Sequence, residues 1–362
     1  MRDIRVSLTI IFTILICIGV VMIYSSSGVY ALETLGDSSY FLTRHLLFLF
    51  IGFLMMTATM AIDYRILRKF AKPLLLLGLV MLVLVLIPHI GKISYGARRW
   101  FRFGPFSFQP SEFMKLAILI YVADYLARKQ TQVTRFWKGL VPILLVLGAT
   151  CLLILKQPDL GNSFLIASIT MILVYVAGAN LWHLAGLVAM ALPALVFLVI
   201  SEPYRMQRIV AFLDPWKDPL GVGFQLSQSQ IALGSGGFLG VGLGKSMQKL
   251  LYLPAAHTDF ILSIIGEELG LLGTLVVIFL FGVFIWQGTR IAKRTQDAFG
   301  YYLGTGIIAM IGLQTVVNIG VSIGAFPTKG LPLPFISYGG SALIFNMIAV
   351  GLLLNISRVQ DQ

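Results

Sequence analysis

The sequence predicts an all-α, polytopic integral membrane protein in which residues 1–362 form one domain. Hydrophobic residues make up 58% of the chain and charged residues only 12%, and the mean hydropathy is +0.90. Soluble globular domains are far more polar than this. The apolar residues also fall into about ten stretches, each long enough to cross roughly 30 Å of hydrocarbon as a helix. Composition and pattern together exclude a soluble protein.

Ten stretches are predicted to span the membrane, and one long polar segment interrupts their succession. The first stretch has a basic start, as a signal peptide has, but no small-residue cleavage site follows it cleanly, so we predict that it is retained. No clear internal repeat or low-complexity linker divides the chain, which favours a single helical domain. The predicted spans are residues 8–27, 42–62, 74–90, 113–126, 140–155, 160–179, 181–200, 260–286, 302–323 and 341–356.

Lys and Arg concentrate in alternate loops, which predicts the orientation of the chain. With the N-terminus in the cytoplasm, the C-terminus and most of the short basic loops also lie there. The long segment at about residues 201–258, between the seventh and eighth predicted helices, is then extracytoplasmic, and one basic outer loop around Arg98 breaks the rule. The predicted cytoplasmic bases are Arg2, Arg5, Arg65, Arg68, Lys69, Lys72, Arg128, Lys129, Arg135, Lys138, Arg290, Lys293, Arg294 and Arg358.

The net charge of +12 does not require a nucleic acid partner. Much of it is accounted for by cytoplasmic loops that would lie beside anionic lipid. Both cysteines, Cys17 and Cys151, fall within predicted spans. A disulfide framework or a cysteine-based metal site is therefore not expected.

A glycine-rich run at residues 234–246 ends in Gly244, Lys245 and Ser246, as a phosphate-binding loop does. The spacing of that loop requires a glycine at position 239, where this chain has Leu239. It also requires a preceding strand and access to cytoplasmic nucleotide, and the predicted topology offers neither. We therefore expect a flexible or closely packed loop on the membrane surface.

The basic outer loop carries Arg98, Arg99 and Arg102, and the next predicted helix begins with Glu112 and Lys115. The spacing of Glu112 and Lys115 allows an ion pair between residues i and i+3. One interpretation is that Lys115 extends to the interface and that the arginines touch lipid headgroups. The other is an anion site for a phosphate or diphosphate beside a helix N-terminus. We favour the anion site, because a lysine inside a span usually has a function.

Asp259 is an acid at the threshold of a span. Steps of 100° per residue place Ser263, Gly266 and Gly270 on nearly the same helix face as Asp259, and Glu267 flanks that face about 12 Å deeper. Small residues at this spacing usually mean close helix packing, and here they would also leave a polar groove leading from Asp259. A simple capping role for Asp259 remains the alternative.

Two further polar residues open or precede predicted spans. Asp159 is expected to be the N-cap of the span that begins at residue 160, with a second role left open. His257 has no second histidine at ligand spacing, so a solvated interfacial histidine is expected, although a carboxylate-only metal site stays open.

Six motifs together resemble those of the SEDS family of shape, elongation, division and sporulation proteins, over essentially the whole chain. The stretch at residues 327–341 is more similar to the division branch and the one at 157–160 to the elongation branch, and we favour the division branch. The motifs are FQPSE at 108–112, QPDLG at 157–161, YR at 204–205 with DP at 214–215, residues 225–237, HTDF at 257–260, and residues 327–341.

The resemblance implies a peptidoglycan glycosyltransferase that polymerises lipid II at the outer face of the bacterial cytoplasmic membrane, for cell division or elongation. The growing chain is the expected donor, with a polyprenyl diphosphate leaving group, and the 4-hydroxyl of an incoming lipid II sugar attacks. The implied partners are a class B penicillin-binding protein and other division or elongation proteins. No organic cofactor and no nucleic acid are expected.

Asp259 is the expected catalytic residue, either as a general base or as a ligand of a divalent cation, Mg²⁺ or Mn²⁺, that bridges the diphosphate. Family members often carry Glu where this chain has Ala255, so a mechanism that needs carboxylates at both positions is not expected here. The expected substrate-binding residues are Arg98, Arg99, Arg102, Glu112, Lys115, Asp159, Arg205, Gln225, His257, Thr258, Lys329 and Ser337.

Two other classes remain open. A transporter that moves a lipid-linked precursor across the membrane would also need an amphiphilic groove with cations, but it predicts polar residues along a path through the bilayer. The recognisable polar motifs gather instead at the outer side. A non-catalytic scaffold for the penicillin-binding protein would tolerate the loss of Asp259.

Overall fold

The computed structural model describes residues 1–94, 97–104, 106–250 and 252–359, and these ranges contain twelve α-helices and three short strands. The helices are α1 (Arg2–Leu35), α2 (Tyr40–Ala61), α3 (Leu67–Leu84), α4 (Pro110–Arg128), α5 (Val141–Leu155), α6 (Leu160–Val176), α7 (Leu181–Ile200), α8 (Pro203–Leu213), α9 (Phe224–Ser235), α10 (Ile261–Arg294), α11 (Ala298–Ser322) and α12 (Gly340–Val359). The strands are β1 (Lys92–Ser94), β2 (Ala97–Phe103) and β3 (Phe106–Phe108).

Each of the ten predicted spans overlaps one helix, in the order α1 to α7 and then α10 to α12. Within the described residues, seven helical stretches are long and apolar enough to cross a membrane. They are Arg2–Leu35, Tyr40–Ala61, Phe136–Leu155, Leu181–Ile200, Ile261–Arg294, Ala298–Ser322 and Gly340–Val359. The prediction of a helical, polytopic membrane protein is confirmed.

The interior of the bundle is formed by α4, α11 and α12. Helix α12 packs along α2, α4 packs against α3 and α11, and α10 packs against α1 and α11. Glycines permit the closest of these contacts: a Cβ on Gly351 would lie 2.7 Å from the carbonyl oxygen of Met56, and one on Gly52 would lie 2.4 Å from the sulfur of Met347. Small residues bring helix backbones close enough for van der Waals packing, which holds helices together in lipid.

The basic outer loop of the sequence analysis folds as an antiparallel sheet in the strand order β1-β2-β3, which the sequence analysis did not predict. Arg98 pairs with Ile93, and Phe101 pairs with Phe108. Successive side chains of a strand point to opposite faces. Arg98 and Arg102 therefore share one face of β2, whereas Arg99 lies on the other face with the buried Phe101.

The glycine-rich segment, residues 234–246, packs against a break in α10. Gly270 interrupts that helix with φ 69° and ψ −167°, a conformation that favours glycine. The main-chain N–H groups of Val241 and Gly242 donate to the carbonyls of Glu267 and Glu268 at 3.0 Å each. In return, two N–H groups of α10 just beyond the break donate to carbonyls of the segment at 2.9 and 3.2 Å. At a rise of 1.5 Å per residue, the break lies roughly 13 Å along α10 from the first residue of that helix. The segment packs against α10 at this level.

A buried ion pair fastens the chain just after this segment. The Nζ atom of Lys249 lies 2.8 Å from Oε1 of Glu268, and the two side chains are 6% and 0% exposed. The hydroxyl of Ser25, on α1, donates to the Glu268 carboxylate at 2.7 Å and accepts from Lys249 at 3.2 Å. The neighbouring Glu267 carboxylate accepts from the Ser246 hydroxyl and from the main-chain N–H of Met247. These contacts join α1, α10 and the segment into one unit.

Candidate active site

A cleft lies between the start of α6, helix α8 and the loop before α12. The starts of α4, α6 and α12 are joined to one another: the main-chain N–H of Gln109 donates to the Ser341 hydroxyl at 3.1 Å, and the Asn162 amide donates to the Ser111 hydroxyl at 3.4 Å. Helix N-termini present positive partial charge and free N–H groups. The residues that line the cleft are Arg99, Pro158, Asp159, Leu160, Gly161, Val199, Tyr204, Arg205, Arg208, Ile209, Pro327, Thr328, Lys329 and Gly330.

Asp259 lies directly beside this wall, partly buried. A Cβ on Gly330 would be 3.4 Å from its Oδ2 atom, so the absence of a side chain at Gly330 leaves the carboxylate room at the cleft. Burial raises the pKa of Asp259 from 3.8 to about 6, although the positive charge of Arg208 acts in the opposite direction. The N-cap of α10 is Phe260 rather than Asp259, which leaves the capping alternative without support.

Arg99 connects the sheet to the wall of the cleft. Its Nε atom donates to the carbonyl of Gln157 at 2.8 Å, and an Nη atom donates to the carbonyl of Pro158. The Tyr204 hydroxyl donates to the same Pro158 carbonyl at 3.1 Å, so α8 meets the sheet at this loop. Because strand side chains alternate, Arg98 and Arg102 do not line the cleft with Arg99. The three arginines that were grouped by sequence are divided between two faces.

Asp159 is the N-cap of α6, as predicted. Its Oδ1 accepts from the main-chain N–H of Asn162 at 3.1 Å, and its Oδ2 accepts from the Asn162 amide at 2.9 Å and from the Gln109 amide at 3.4 Å. It also lines the cleft. With its oxygens held by these donors, Asp159 shapes the wall and is a poor candidate for a free base.

Glu112 and Lys115 form the predicted ion pair on α4, with Nζ 2.8 Å from Oε2. The two side chains are only 3% and 2% exposed, so Lys115 does not extend to the interface, and that interpretation is wrong. Neither residue lines the cleft. They lie one turn or less from Ser111, which contacts Asn162 and through it Asp159. The pair therefore stabilises the base of the site rather than its surface.

Three further cations line the cleft: Arg205, Arg208 and Lys329. Arg205 donates to the carbonyl of Leu198 at 2.7 Å, and Arg208 donates to the carbonyl of Thr328 at 3.1 Å. Burial lowers the pKa of the Lys329 ammonium below its ordinary value. Arg208 was missed by the sequence analysis, although its position three residues after Arg205 puts both on one face of α8.

The Lys329 ammonium lies 4.3 Å from the ring centre of Phe164, a cation–π contact. Among the residues that the structure describes, no carboxylate pairs with the Lys329 ammonium, so its charge is available to an anion in the cleft. Together with the guanidinium groups of Arg205 and Arg208, it gives the cleft a strongly positive wall.

The remaining predicted site residues lie outside the cleft lining. Gln225 is exposed on α9. His257 packs among the rings of Tyr30, Phe41 and Tyr338, at centroid distances of 5.7, 4.6 and 5.9 Å. Burial lowers the pKa of His257 to about 4, so the prediction of a solvated histidine is wrong.

Thr258 and Ser337 connect two segments near Asp259. The Ser337 hydroxyl donates to the carbonyl of Thr258, and the Thr258 hydroxyl donates to the carbonyl of Ala255 at 3.1 Å. Ala255 itself has φ 58°, a conformation that L-residues adopt infrequently. These two predicted substrate-binding residues thus hold the main chain that carries Asp259.

The cleft offers few ligands for a resident divalent cation. In the part of the chain that the structure describes, no group of three or more His, Cys, Asp or Glu residues could hold a metal ion. Asp259 is a single carboxylate, whereas protein sites for Mg²⁺ or Mn²⁺ draw on several oxygen ligands. The residues present do not fit a cation held by the protein alone.

Fold and site together define a polytopic membrane protein with a cation-lined cleft and a partly buried carboxylate at one end of its helical bundle. Residues 5–362 match the model of the FtsW/RodA/SpoVE family, which is described as a cell cycle protein. The chain belongs to this family. This is the SEDS family predicted from its motifs, and that prediction is confirmed.

Among curated relatives, the probable peptidoglycan glycosyltransferase FtsW of Trichlorobacter lovleyi is 48% identical over 339 residues, which cover 94% of this chain and 89% of the relative. The stage V sporulation protein E of Bacillus subtilis is 46% identical over 351 residues, with coverage of 97% and 96%. The favoured division branch agrees with the FtsW-type relatives.

Solved structures share the whole fold. One is a chain from a study of the structural coordination of polymerization and crosslinking by a peptidoglycan synthase complex, with a TM-score of 0.80, 30% identity and 98% coverage of both chains. Another is the rod shape determining protein RodA of Thermus thermophilus, with a TM-score of 0.73, 29% identity and coverage of 98% and 97%.

Proposed function

We propose that this chain is a peptidoglycan glycosyltransferase that polymerises lipid II at the outer face of the bacterial cytoplasmic membrane, in cell division. The observation that carries the proposal is the position of Asp259, a carboxylate of raised pKa beside a cleft walled by Arg99, Arg205, Arg208 and Lys329. Relatives that are 48% identical and bear the name of this enzyme support it.

Asp259 acts as the general base. The 4-hydroxyl oxygen of the incoming lipid II sugar forms a bond to C1 of the sugar at the end of the growing chain. The bond from C1 to the diphosphate oxygen breaks, and the hydroxyl proton passes to the Asp259 carboxylate. A positioned base of this kind typically accelerates a reaction by about 10² to 10⁴. A pKa of about 6 leaves Asp259 ionised at neutral pH and basic enough to accept the proton.

The cationic wall binds the diphosphates and stabilises the charge that develops on the leaving group. Arg208 and Lys329 face the cleft from two different segments, α8 and the loop before α12. Such donors stabilise a developing anion more than the ground state, because they are fixed before the reaction begins. A bound diphosphate would also raise the pKa of Lys329 again and keep it charged.

Orientation and partners follow from the same proposal. The placement of Lys and Arg supports cytoplasmic termini and an extracytoplasmic cleft. A class B penicillin-binding protein is the expected partner, since a polymerised glycan must be cross-linked, and other division proteins would join the assembly. The fold shared with a chain of a peptidoglycan synthase complex supports such a partner.

The experiment is glycan formation from lipid II by the purified chain, with and without its penicillin-binding protein. Asp259→Asn is compared with Asp214→Asn, the same change at an exposed residue of the long segment that precedes Asp259. We expect Asp259→Asn to lose at least ~100-fold in kcat and Asp214→Asn to keep the parent rate. Full polymerisation by a folded Asp259→Asn variant would remove Asp259 from the chemistry. Absence of polymerisation by the parent chain with its partner would favour the scaffold, and movement of lipid II across vesicles without polymerisation would favour the transporter.

A further inference from the structure

A buried amide on α11 connects the two segments that meet at the candidate base. Asn318 is 1% exposed, and its Nδ2 donates to the carbonyl of Asp259 at 2.8 Å and to the carbonyl of Leu331 at 2.9 Å. Leu331 directly follows Gly330, which lies beside the Asp259 carboxylate. One side chain thus spans both sides of the site.

We propose that Asn318 is a positioning residue that fixes Asp259 relative to Lys329 and Gly330 and so sets the geometry of proton transfer. The inference rests on the proposed role of Asp259 as general base. A base must lie within hydrogen-bond reach of the proton that it accepts. A displacement of about 1 Å at a reacting group can cost on the order of 100-fold in rate.

Three successive carbonyls hold this segment, and each accepts from a different donor. The carbonyl of His257 accepts from the main-chain N–H of Tyr338 at 2.9 Å, and that of Thr258 accepts from the Ser337 hydroxyl. Both of these donors belong to the loop before α12. Asn318 supplies the third bond, to Asp259 itself, and it comes from a membrane-spanning helix. Asn318 thus bonds the segment that carries Asp259 directly to α11.

Helix α11 is itself fixed at this level by a chain of hydroxyls. Ser322 donates to the carbonyl of Asn318 at 3.0 Å, and Ser229 on α9 donates to the carbonyl of Ser322 at 2.8 Å. The hydroxyls of Ser229 and Ser263, on α10, are 2.6 Å apart. Asn318 therefore projects from a rigid support, which is what a positioning side chain requires.

Gln314 provides a matched control one turn earlier on the same helix. It is 0% exposed, and its Nε2 donates to the carbonyl of Pro332 at 2.8 Å. It holds the same loop as Asn318 does, through the same kind of bond. Its amide donates to the loop and not to Asp259, so a Gln314 variant separates support of the loop from positioning of the base.

The test compares Asn318→Leu with Gln314→Leu in lipid II polymerisation by the complete chain with its penicillin-binding protein. We expect Asn318→Leu to lower kcat by ~10- to 100-fold while KM for lipid II stays within ~3-fold, because the geometry and not the binding is changed. Gln314→Leu should keep kcat within ~3-fold of the parent. If Asn318→Leu does not fold, Asn318→Asp, which keeps the shape but loses both donors, takes its place with the same expected split.

Two outcomes overturn the inference. One is an equal loss of kcat in the Asn318 and Gln314 variants, and the other is a rise in KM in place of a fall in kcat. Asp259→Asn in the same assay keeps the two proposals apart. A normal rate for Asp259→Asn removes the general base itself, whereas an inactive Asp259→Asn beside a normal Asn318→Leu removes only the role of Asn318.

Discussion

Removing one charge of the Lys249–Glu268 pair should destabilise the protein far more than removing both. The two groups are 2.8 Å apart and at most 6% exposed, and Ser25 is the neighbour that contacts both. Lys249→Met leaves the Glu268 carboxylate buried with the Ser25 hydroxyl as its remaining partner. Loss of one member of a buried pair typically costs about 3 to 5 kcal/mol, whereas replacement of both by apolar groups is often near neutral.

We therefore expect Lys249→Met to lower the free energy of unfolding by ~3 to 5 kcal/mol. The double variant, in which Glu268→Met is added, should recover most of that loss. The measurement is reversible unfolding of the purified chain in mixed micelles with increasing SDS. Lys245→Met is the control, because Lys245 is exposed in the same segment and has no buried partner to leave behind. It should change the free energy of unfolding by less than ~0.5 kcal/mol.

Two results would refute this reasoning. If Lys249→Met is as stable as Lys245→Met, the ion pair of Lys249 and Glu268 does not contribute to the free energy of unfolding. If the double variant is no more stable than Lys249→Met, the two charges do not act on each other, and other contacts hold this part of the chain.

Four further predictions concern the cleft and the glycine-rich segment. The raised pKa of Asp259 means that kcat should fall as the pH drops through about 6, because the protonated carboxyl cannot accept a proton; a profile flat from pH 5 to 8 contradicts this. Arg208→Gln should move this fall in kcat to higher pH in the same measurement. The Arg208 charge favours the ionised carboxylate, so its removal raises the pKa of Asp259. Lys329→Gln should raise KM for lipid II by roughly 10-fold or more, with exposed Lys217→Gln as the control in the same kinetics. Gly240→Ala should lower the SDS unfolding midpoint more than Gly244→Ala: both glycines have positive φ, but only at Gly240 would the new Cβ meet the main chain, 2.2 Å from the carbonyl oxygen of Glu268.

Sequence reasoning was successful where one physical property decided the outcome. Hydrophobicity alone located ten helices, because a lipid-facing helix must be apolar along its whole length. Local spacing was also sufficient for the Asp159 cap and for the pair of Glu112 and Lys115, since both depend on residues within one turn.

Features that depend on distant segments could not be predicted in this way. The rings that bury His257 come from α1, α2 and the loop before α12, which no local pattern brings together. The division of Arg98 from Arg99 appears only once residues 97–103 are known to be a strand. Arg208 approaches Asp259 from a helix some fifty residues away, and Asn318 does so from α11.

The break at Gly270 escaped detection for a different reason. Residues on both sides of it are helical, and Gly270 is followed by a long apolar stretch, so the sequence predicts one uninterrupted span. The main-chain groups that the break leaves without helical partners are satisfied by the glycine-rich segment. A pattern of side chains carries no information about such main-chain bonds.

The main-chain hydrogen bonds between the glycine-rich segment and α10 constrain the order in which this part of the protein can fold. Main-chain groups at residues 237–242 find their partners at residues 267–272, which the ribosome supplies about thirty residues later. Polar main-chain groups without partners are too costly to place in hydrocarbon. The segment therefore finds these partners only once the first part of α10 has been synthesised. The candidate active site is completed later still, because Lys329 and Gly330 follow the ninth predicted span.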